Sequence, residues 1–209
     1  MASVYDLKPK FQALLRPTTR ALAAAGVTAN QVTVAAALLS AAVGAAIALN
    51  PAARWPLFLL PACLFVRMAL NAIDGMLARE HGQKSRLGAV LNEIGDVAAD
   101  TALYLPLALV PGFSAPAVIV VCLLAVISEM TGVVGLQIGA SRRYDGPMGK
   151  SDRATVFGVL ALVTALGVPT SSWLPVALWL TAALLVATVV NRARRALAES
   201  PPARADGGS

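Results

Sequence analysis

The chain has 209 residues, of which 57% are hydrophobic and only 13% are charged, and its mean hydropathy is +0.71. A soluble globular domain carries about 25% charged residues, so this composition excludes a soluble domain, a coiled coil and a disulfide scaffold, and is typical of a polytopic membrane protein. The net charge is +6. We attribute it to basic loops that set orientation in a membrane, and we predict no nucleic-acid partner.

Residues 1–25 are predicted to form an amphipathic helix that lies on the cytoplasmic surface of the membrane. Charges are spread along this segment, which lacks the central apolar run of a signal peptide. Pro17 is predicted to interrupt the helix and Gly26 to end the segment. The apolar residues that share one helical face are Val4, Leu7, Phe11, Leu14 and Leu15.

Six apolar segments follow, at about residues 31–49, 55–81, 87–110, 117–140, 154–168 and 173–193. A membrane span needs about 20 predominantly apolar residues, so we predict an all-α integral membrane protein with six transmembrane helices. Residues 1–198 are predicted to form one membrane domain. Residues 199–209, rich in Pro, Gly and Ala, are predicted to be disordered.

The basic residues fall on one side of the predicted membrane. Fifteen of the 17 Lys and Arg residues precede segment one, follow segment six, or lie between segments two and three or four and five. Arg54 lies in an opposite turn, and Arg67 lies within segment two. Basic residues accumulate in cytoplasmic loops. We therefore predict a multi-pass protein of the inner membrane with both termini in the cytoplasm.

Five of the 11 acidic residues lie within or at the ends of predicted spans, where ionisable groups are costly and usually functional. In segment three, polar side chains recur every four residues and share one face. Segment two adds two more, and the short loop between these segments makes them antiparallel neighbours. Carboxylate and amide oxygens clustered between two helices suit Mg²⁺ or Mn²⁺. The side chains concerned are Asn71, Asp74, Asn92, Asp96 and Asp100.

A longer pattern contains these residues. Segment two ends with NAIDGMLAR at residues 71–79, and Gly88, Asn92 and Asp96 follow at fixed distances. The pattern resembles the signature of the CDP-alcohol phosphotransferase family, D-x-x-D-G-x-x-A-R-(eight residues)-G-x-x-x-D-x-x-x-D. Every spacing matches, and six of the eight defining residues are identical.

The resemblance extends over most of the chain. Thr28-Ala29-Asn30 followed by Thr33 is similar to the T-P-N-x-x-T motif that begins the family's first span. An N-terminal amphipathic helix and six spans are also the family's architecture. Family members are commonly homodimers, so the resemblance implies a homodimer here.

The resemblance implies transfer of a phosphatidyl group in phospholipid biosynthesis. A CDP-linked donor, expected to be CDP-diacylglycerol, binds through a divalent metal, Mg²⁺ or Mn²⁺. An acceptor hydroxyl then attacks the phosphorus that bears the lipid group, and CMP leaves. The family's pattern implies that the nucleotide is bound by Asp74, Gly75, Ala78, Arg79 and Gly88.

Two signature positions depart from the family. The family's four aspartates hold the metal and the fourth acts as the base; here the corresponding residues are Asn71, Asp74, Asn92 and Asp96, with Asp96 as the base. Three interpretations stay open: a single metal suffices, Glu93 or Asp100 contributes, or the chain has lost catalysis and kept nucleotide binding. A small CDP-alcohol donor with a lipid acceptor is an enzymatic alternative. A cation transporter is an alternative from another class.

A basic cluster lies between segments four and five. Arg142, Arg143, Lys150 and Arg153 are predicted to bind the acceptor, and a phosphorylated acceptor such as glycerol 3-phosphate would suit them. The alternative is a loop that only sets topology. In segment four, Glu129 is expected either to line the cavity or to pair with Arg67.

Overall fold

The computed structural model describes residues 4–200, with side chains from residue 9 onward. This part of the chain is helical and contains no strand, which confirms the predicted all-α class. Two 3-10 turns, Leu105–Leu109 and Gly135–Ile138, extend two of the helices. The helices are α1 Val4–Ala24, α2 Ala29–Leu49, α3 Trp55–Glu80, α4 Arg86–Tyr104, α5 Ala115–Val134, α6 Lys150–Ala165 and α7 Leu174–Glu199.

Helix α1 is continuous through Pro17, so the predicted interruption there is wrong. A proline removes one backbone hydrogen bond, but the turns on both sides of Pro17 stay helical because they pack on α3. Leu15 and Leu22 of α1 contact the cluster that contains Leu77 of α3. The segment ends as predicted at Gly26, whose φ of +77° favours glycine.

Two helices end earlier than the sequence predicts. Helix α4 stops at Tyr104 rather than near residue 110, because Pro106 has no N–H to continue the α-helical hydrogen bonds. Helix α5 stops at Val134 and continues as a 3-10 turn. That turn ends at Gly139, whose φ is +81°.

Within the described residues, four helices are long and apolar enough to cross a membrane, not six: α2, α3, α5 with its 3-10 turn, and α7. Helix α4 falls short because of its acidic face. Helix α6 has 16 residues and is about 24 Å long at 1.5 Å per residue, whereas the hydrocarbon core is about 30 Å thick.

Helix α2 packs against both α3 and α4, α5 packs against α7, and α3 packs against α6. Gly44 shows how closely α2 and α4 approach, since a Cβ at this position would collide with the carbonyl oxygen of Ala102. The beginnings of α2 and α4 and the end of α3 meet at one end of the bundle, where the polar residues gather.

Local capping fixes this end of the bundle. The Thr28 side chain accepts a hydrogen bond from Gln31 N, and the Gln31 side chain accepts one from Thr28 N, which is a capping box. Gln83, in the α3–α4 loop, accepts a 2.7 Å hydrogen bond from Ala29 N. Ser85 caps α4 by accepting one from Gly88 N. The α3–α4 loop, which precedes Gly88 at the start of α4, is thereby tied to the start of α2.

Candidate active site

A cavity of about 400 Å³ lies between α2, α3 and α4, and we call it the signature cavity. It contains seven of the eight signature positions, so the face-sharing predicted from helical spacing is confirmed. The remaining lining residues come mostly from the start of α2 and the α3–α4 loop. The signature residues are Asn71, Asp74, Gly75, Ala78, Arg79, Gly88 and Asn92.

Asp74 is held inside the signature cavity. Its side chain is buried, and its Oδ2 accepts a 3.0 Å hydrogen bond from the hydroxyl of Thr33 on α2. Thr33 belongs to the motif that begins the first predicted span, so the two sequence motifs meet in space. The hydrogen bond orients the Asp74 carboxylate without neutralising its charge.

The two signature glycines lie close to neighbouring side chains of the signature cavity. A Cβ at Gly75 would lie 2.9 Å from the Arg79 guanidinium, and one at Gly88 would lie 2.8 Å from Oδ1 of Asn30. The missing side chain at Gly75 therefore leaves room for the Arg79 guanidinium to lie over the α3 backbone in this position. Arg79 forms no ion pair among the side chains described, residues 9–200, so its charge is available to a phosphate.

Asp96, the eighth signature residue, lines a neighbouring cavity of about 320 Å³ that shares Asn92 with the signature cavity. We call it the loop cavity, because the α5–α6 loop forms one wall. Lys150, the first residue of α6, places its Nζ 2.5 Å from Asp96 Oδ1. Gly149 and Asp152 cap the same helix through a 2.9 Å hydrogen bond from Gly149 N.

Each arginine of the loop cavity is paired with carboxylates. Arg142 donates to Glu93 over 2.5 Å, and Arg153 donates to Glu129 over 3.0 Å. Glu129 also lies 3.4 Å from Arg142 and from Arg192. Burial opposes the charged form of Arg142, but the hydrogen bond to Glu93 and the nearby carboxylates raise its pKa above the usual arginine value.

The two additional metal-ligand candidates are engaged elsewhere. Glu93 is bound to Arg142, and Asp100 is bound to Arg67 at 2.9 Å and Arg153 at 3.2 Å. Of the two alternatives expected for Glu129, the structure shows that it lines the loop cavity and does not pair with Arg67. Arg67 on α3 is closer to α4, which carries Asp100.

The structure separates Arg143 from the other three predicted acceptor residues. Arg143 pairs with Asp145 at 2.7 Å and with Glu199 at the end of α7, and it does not line the loop cavity. Adjacent residues in an extended loop point to opposite sides, which explains why Arg142 and Arg143 diverge. Burial raises the pKa of Asp145, but the hydrogen bond from Arg143 and the charge of Arg195 outweigh it and hold that pKa below its usual value.

Arg192 also lines the loop cavity, and this was not predicted from the sequence. It is 1% exposed, and its guanidinium donates to the carbonyl oxygen of Ser128 over 2.5 Å and to that of Asp145 over 3.2 Å. Helical periodicity could have predicted that Arg192 is buried, because it continues the buried face that Leu185 and Thr188 form on α7.

A third cavity, of about 490 Å³, opens between α3 and α6, and we call it the lateral groove. It shares Asn71 with the signature cavity and Lys150 with the loop cavity. Phe65 and Met68 line it and are 62% and 50% exposed. An apolar groove therefore adjoins both polar cavities.

The signature residues fit a divalent cation by their chemistry. They supply two carboxylates and two amides, which are the hard oxygen donors that Mg²⁺ and Mn²⁺ prefer. Asp74 and Asp96 line adjoining cavities that share Asn92. No group of three or more His, Cys, Asp or Glu side chains with metal-site geometry occurs in the described part of the chain, because two donors are Asn71 and Asn92.

Residues 26–191 match the family model for CDP-alcohol phosphatidyltransferases. The chain belongs to the CDP-alcohol phosphatidyltransferase family. The predicted function is confirmed at this level: this is an enzyme of phosphatidyl transfer in phospholipid synthesis, and the transporter interpretation is not supported.

The chain is also similar to a curated protein and to solved structures. The chain is 46% identical over 196 residues to the inner membrane protein YnbA of Escherichia coli, covering 93% of this chain and 96% of that protein. It is similar to the crystal structure of Mycobacterium tuberculosis phosphatidylinositol phosphate synthase in complex with manganese and citrate, with 25% identity, a TM-score of 0.75 and coverage of 89% and 90%. The same synthase with CDP-DAG bound shares the fold, with 24% identity, a TM-score of 0.74 and coverage of 92% and 98%.

Proposed function

We propose that this phosphatidyltransferase uses CDP-diacylglycerol as its donor and transfers the phosphatidyl group to an acceptor hydroxyl, releasing CMP. The observation that carries the proposal is the junction at Asn71, where the polar signature cavity meets the apolar lateral groove. A donor with a nucleotide at one end and acyl chains at the other fits across this junction. The mycobacterial synthase of the same fold was solved with CDP-DAG bound.

In the signature cavity, the nucleotide contacts are assigned to Asp74, Gly75, Ala78, Arg79 and Gly88. Arg79 binds a phosphate of the donor, since its guanidinium has no carboxylate partner among the described side chains. Gly75, Ala78 and Gly88 lack bulk, so the nucleotide approaches the helix backbones closely.

Asn71, Asp74, Asn92 and Asp96 are proposed to hold a divalent cation, Mg²⁺ or Mn²⁺. When bound, such a cation neutralises charge on the pyrophosphate and on the departing CMP. The mycobacterial synthase, which has manganese in its crystal structure, supports a divalent metal. The amides at Asn71 and Asn92 reduce the formal ligand charge from four negatives to two, and we propose that the variant signature remains competent for catalysis.

Asp96 is proposed to be the general base. It lies where the loop cavity adjoins the signature cavity, so an acceptor hydroxyl in the loop cavity can give its proton to Asp96 while attacking the donor phosphorus. General base catalysis typically contributes about 10²- to 10⁴-fold to rate. The acceptor is proposed to bind beside Arg142, Lys150 and Arg153, which line this cavity.

The proposed membrane arrangement is based on the positions of the charged residues along the chain. Residues 1–198 form one domain with both termini in the cytoplasm, and α1 lies at the membrane surface. Helices α4 and α6 complete six spans, because their polar residues face neighbouring helices rather than lipid: Asp100 and Arg153 are 6% and 1% exposed. The enzyme is proposed to be a homodimer in the inner membrane.

The test is CMP release by purified protein with radiolabelled CDP-diacylglycerol, Mg²⁺ or Mn²⁺, and a panel of alcohols. We expect CMP release that depends on both metal and acceptor. Nucleotide binding without release for any donor and acceptor would support the second candidate, a protein that kept the nucleotide site but lost catalysis. Asn71 and Asn92 are the observation behind that candidate.

A further inference from the structure

The chemical class of the acceptor follows from the way the loop cavity is charged. This inference rests on the proposed function, since it assumes that the loop cavity receives the acceptor. We propose that the acceptor is a small, uncharged, water-soluble polyol, rather than a phosphorylated alcohol or an amino alcohol.

The first observation is that the arginines of the loop cavity are already neutralised. Arg142 is paired with Glu93, Arg153 with Asp100 and Glu129, and Arg192 with Glu129. A phosphate placed among these arginines would displace a carboxylate and leave it without a counter-charge in a half-buried site, which is costly. The cavity therefore disfavours an anionic acceptor.

The same pairing disfavours a cationic acceptor. An ammonium group would need a free carboxylate, but Glu93 and Glu129 are both engaged by arginines. Asp152, also in the wall, accepts from Gly149 N and lies in the first turn of α6, where the helix dipole stabilises its negative charge. Lys150 and Asp96 neutralise each other at 2.5 Å.

The second observation is a surplus of hydrogen-bond donors. Nε and Nη1 of Arg142 and of Arg153 are buried and have no hydrogen-bond partner among the described residues, and Arg153 is 1% exposed. Buried donors without partners are costly. Hydroxyl oxygens accept such hydrogen bonds without bringing a charge, and a polyol supplies several of them.

The shape of the cavity agrees with a small soluble acceptor. Its volume of about 320 Å³ is at the lower end of ligand pockets. One wall is the polar α5–α6 loop rather than the apolar lateral groove. Tyr144 lies in this wall and stacks under the Arg142 guanidinium at 4.3 Å, which fixes the plane of its donors.

The experiment compares acceptors with the full-length enzyme. CMP release from CDP-diacylglycerol is measured with glycerol and inositol, with glycerol 3-phosphate and inositol phosphate, with ethanolamine and serine, and with phosphatidylglycerol vesicles. We expect kcat/KM for a free polyol to exceed that for its phosphorylated form by at least about tenfold. Preference for a phosphorylated alcohol, an amino alcohol or the vesicles overturns the inference.

Binding of the same panel by saturation-transfer NMR separates this inference from the proposed function. If no acceptor gives CMP release, the proposed function fails, and the binding preference still decides the acceptor class. Binding of the free polyols in preference to their phosphates supports the inference, and the reverse order or binding of neither overturns it.

A pair of matched variants tests the charge argument itself. Glu93→Gln releases Arg142 inside the cavity, so the preference for polyol over phosphorylated polyol should fall by about tenfold. Glu199→Gln removes a carboxylate from Arg143 outside the cavity and should leave the preference unchanged. If the ratio of kcat/KM for the polyol to kcat/KM for its phosphorylated form is the same in both variants and in the wild type, the inference is overturned.

Discussion

The signature cavity and the loop cavity are neighbours that share Asn92, yet they differ in whether their arginines are paired with carboxylates. In the signature cavity, Arg79 has no carboxylate partner among the described side chains, so it is open to a phosphate. In the loop cavity, every arginine is bound to a carboxylate. The contrast suggests that one cavity is built for an anionic nucleotide and the other for an uncharged acceptor.

The largest expected effect concerns the carboxylate at the centre of the loop cavity. Glu129→Gln removes the shared counter-charge of Arg142, Arg153 and Arg192, and breaking a buried ionic network costs about 3–5 kcal/mol. We expect a clear loss of thermal stability in detergent. Glu199→Gln, at a 40% exposed side chain, should change the Tm little. Equal Tm values for both variants would show that the network does not stabilise the fold.

The second effect concerns the amides of the signature cavity. Asn92→Asp adds a negative charge beside Asp96, so we expect affinity for Mn²⁺ to rise by at least about tenfold, as a partly buried charge would give. Isothermal titration calorimetry measures the affinity of each variant for Mn²⁺. Asn50→Asp, in the turn after α2, is the matched control and should leave the affinity unchanged. Unchanged or weaker binding in Asn92→Asp would mean that Asn92 is not a ligand.

The third effect concerns the glycine beneath Arg79. A methyl group at residue 75 displaces the guanidinium, so Gly75→Ala should raise the KM for the donor by about five- to tenfold with little change in stability. Gly95→Ala is the control, since a Cβ there meets Thr33 only at an ordinary 3.7 Å. An unchanged KM for Gly75→Ala would remove Arg79 from the phosphate site.

The smallest effect lies outside both cavities. The pKa of Asp145 is lowered in the folded protein, so its contribution to stability is complete above its unfolded pKa of about 3.9 and is lost as pH falls through the folded value. The Tm difference between the wild type and Asp145→Asn should therefore shrink below about pH 4. A Tm difference that does not depend on pH would contradict the ion pairs of this loop.

The two cavities also differ in how many of their lining residues could be predicted from the sequence. The signature cavity is built from residues 28–92, and spacings of three and four residues on two adjacent helices determine which side chains meet. The loop cavity joins α4, α5, α6 and α7, and no local spacing relates Glu129 to Arg192. Its acceptor residues were predicted from charge alone; of the residues concerned, Arg143 does not line the cavity, and Arg192, which does, was not predicted.

The fold shows the same division between local and long-range information. Helix positions follow from apolar segments, and Gly26 marks the end of α1 as expected. Pro17 and Pro106 show the limit, because one proline is carried within a helix that packs on α3 and the other ends α4. Tertiary packing determines whether a proline is accommodated within a helix or ends it, and the local sequence pattern does not show how the helices pack.

The central claim is that this protein, with asparagine at two signature positions, catalyses transfer through Asp96. The most direct test is CMP release by the wild type and by Asp96→Asn, with donor binding and Tm measured on the same preparations. We predict that Asp96→Asn binds CDP-diacylglycerol and keeps its Tm but loses at least about a hundredfold in kcat, while Asp145→Asn retains the wild-type rate. A wild-type rate in Asp96→Asn, or donor binding without CMP release in the wild type, would contradict the claim.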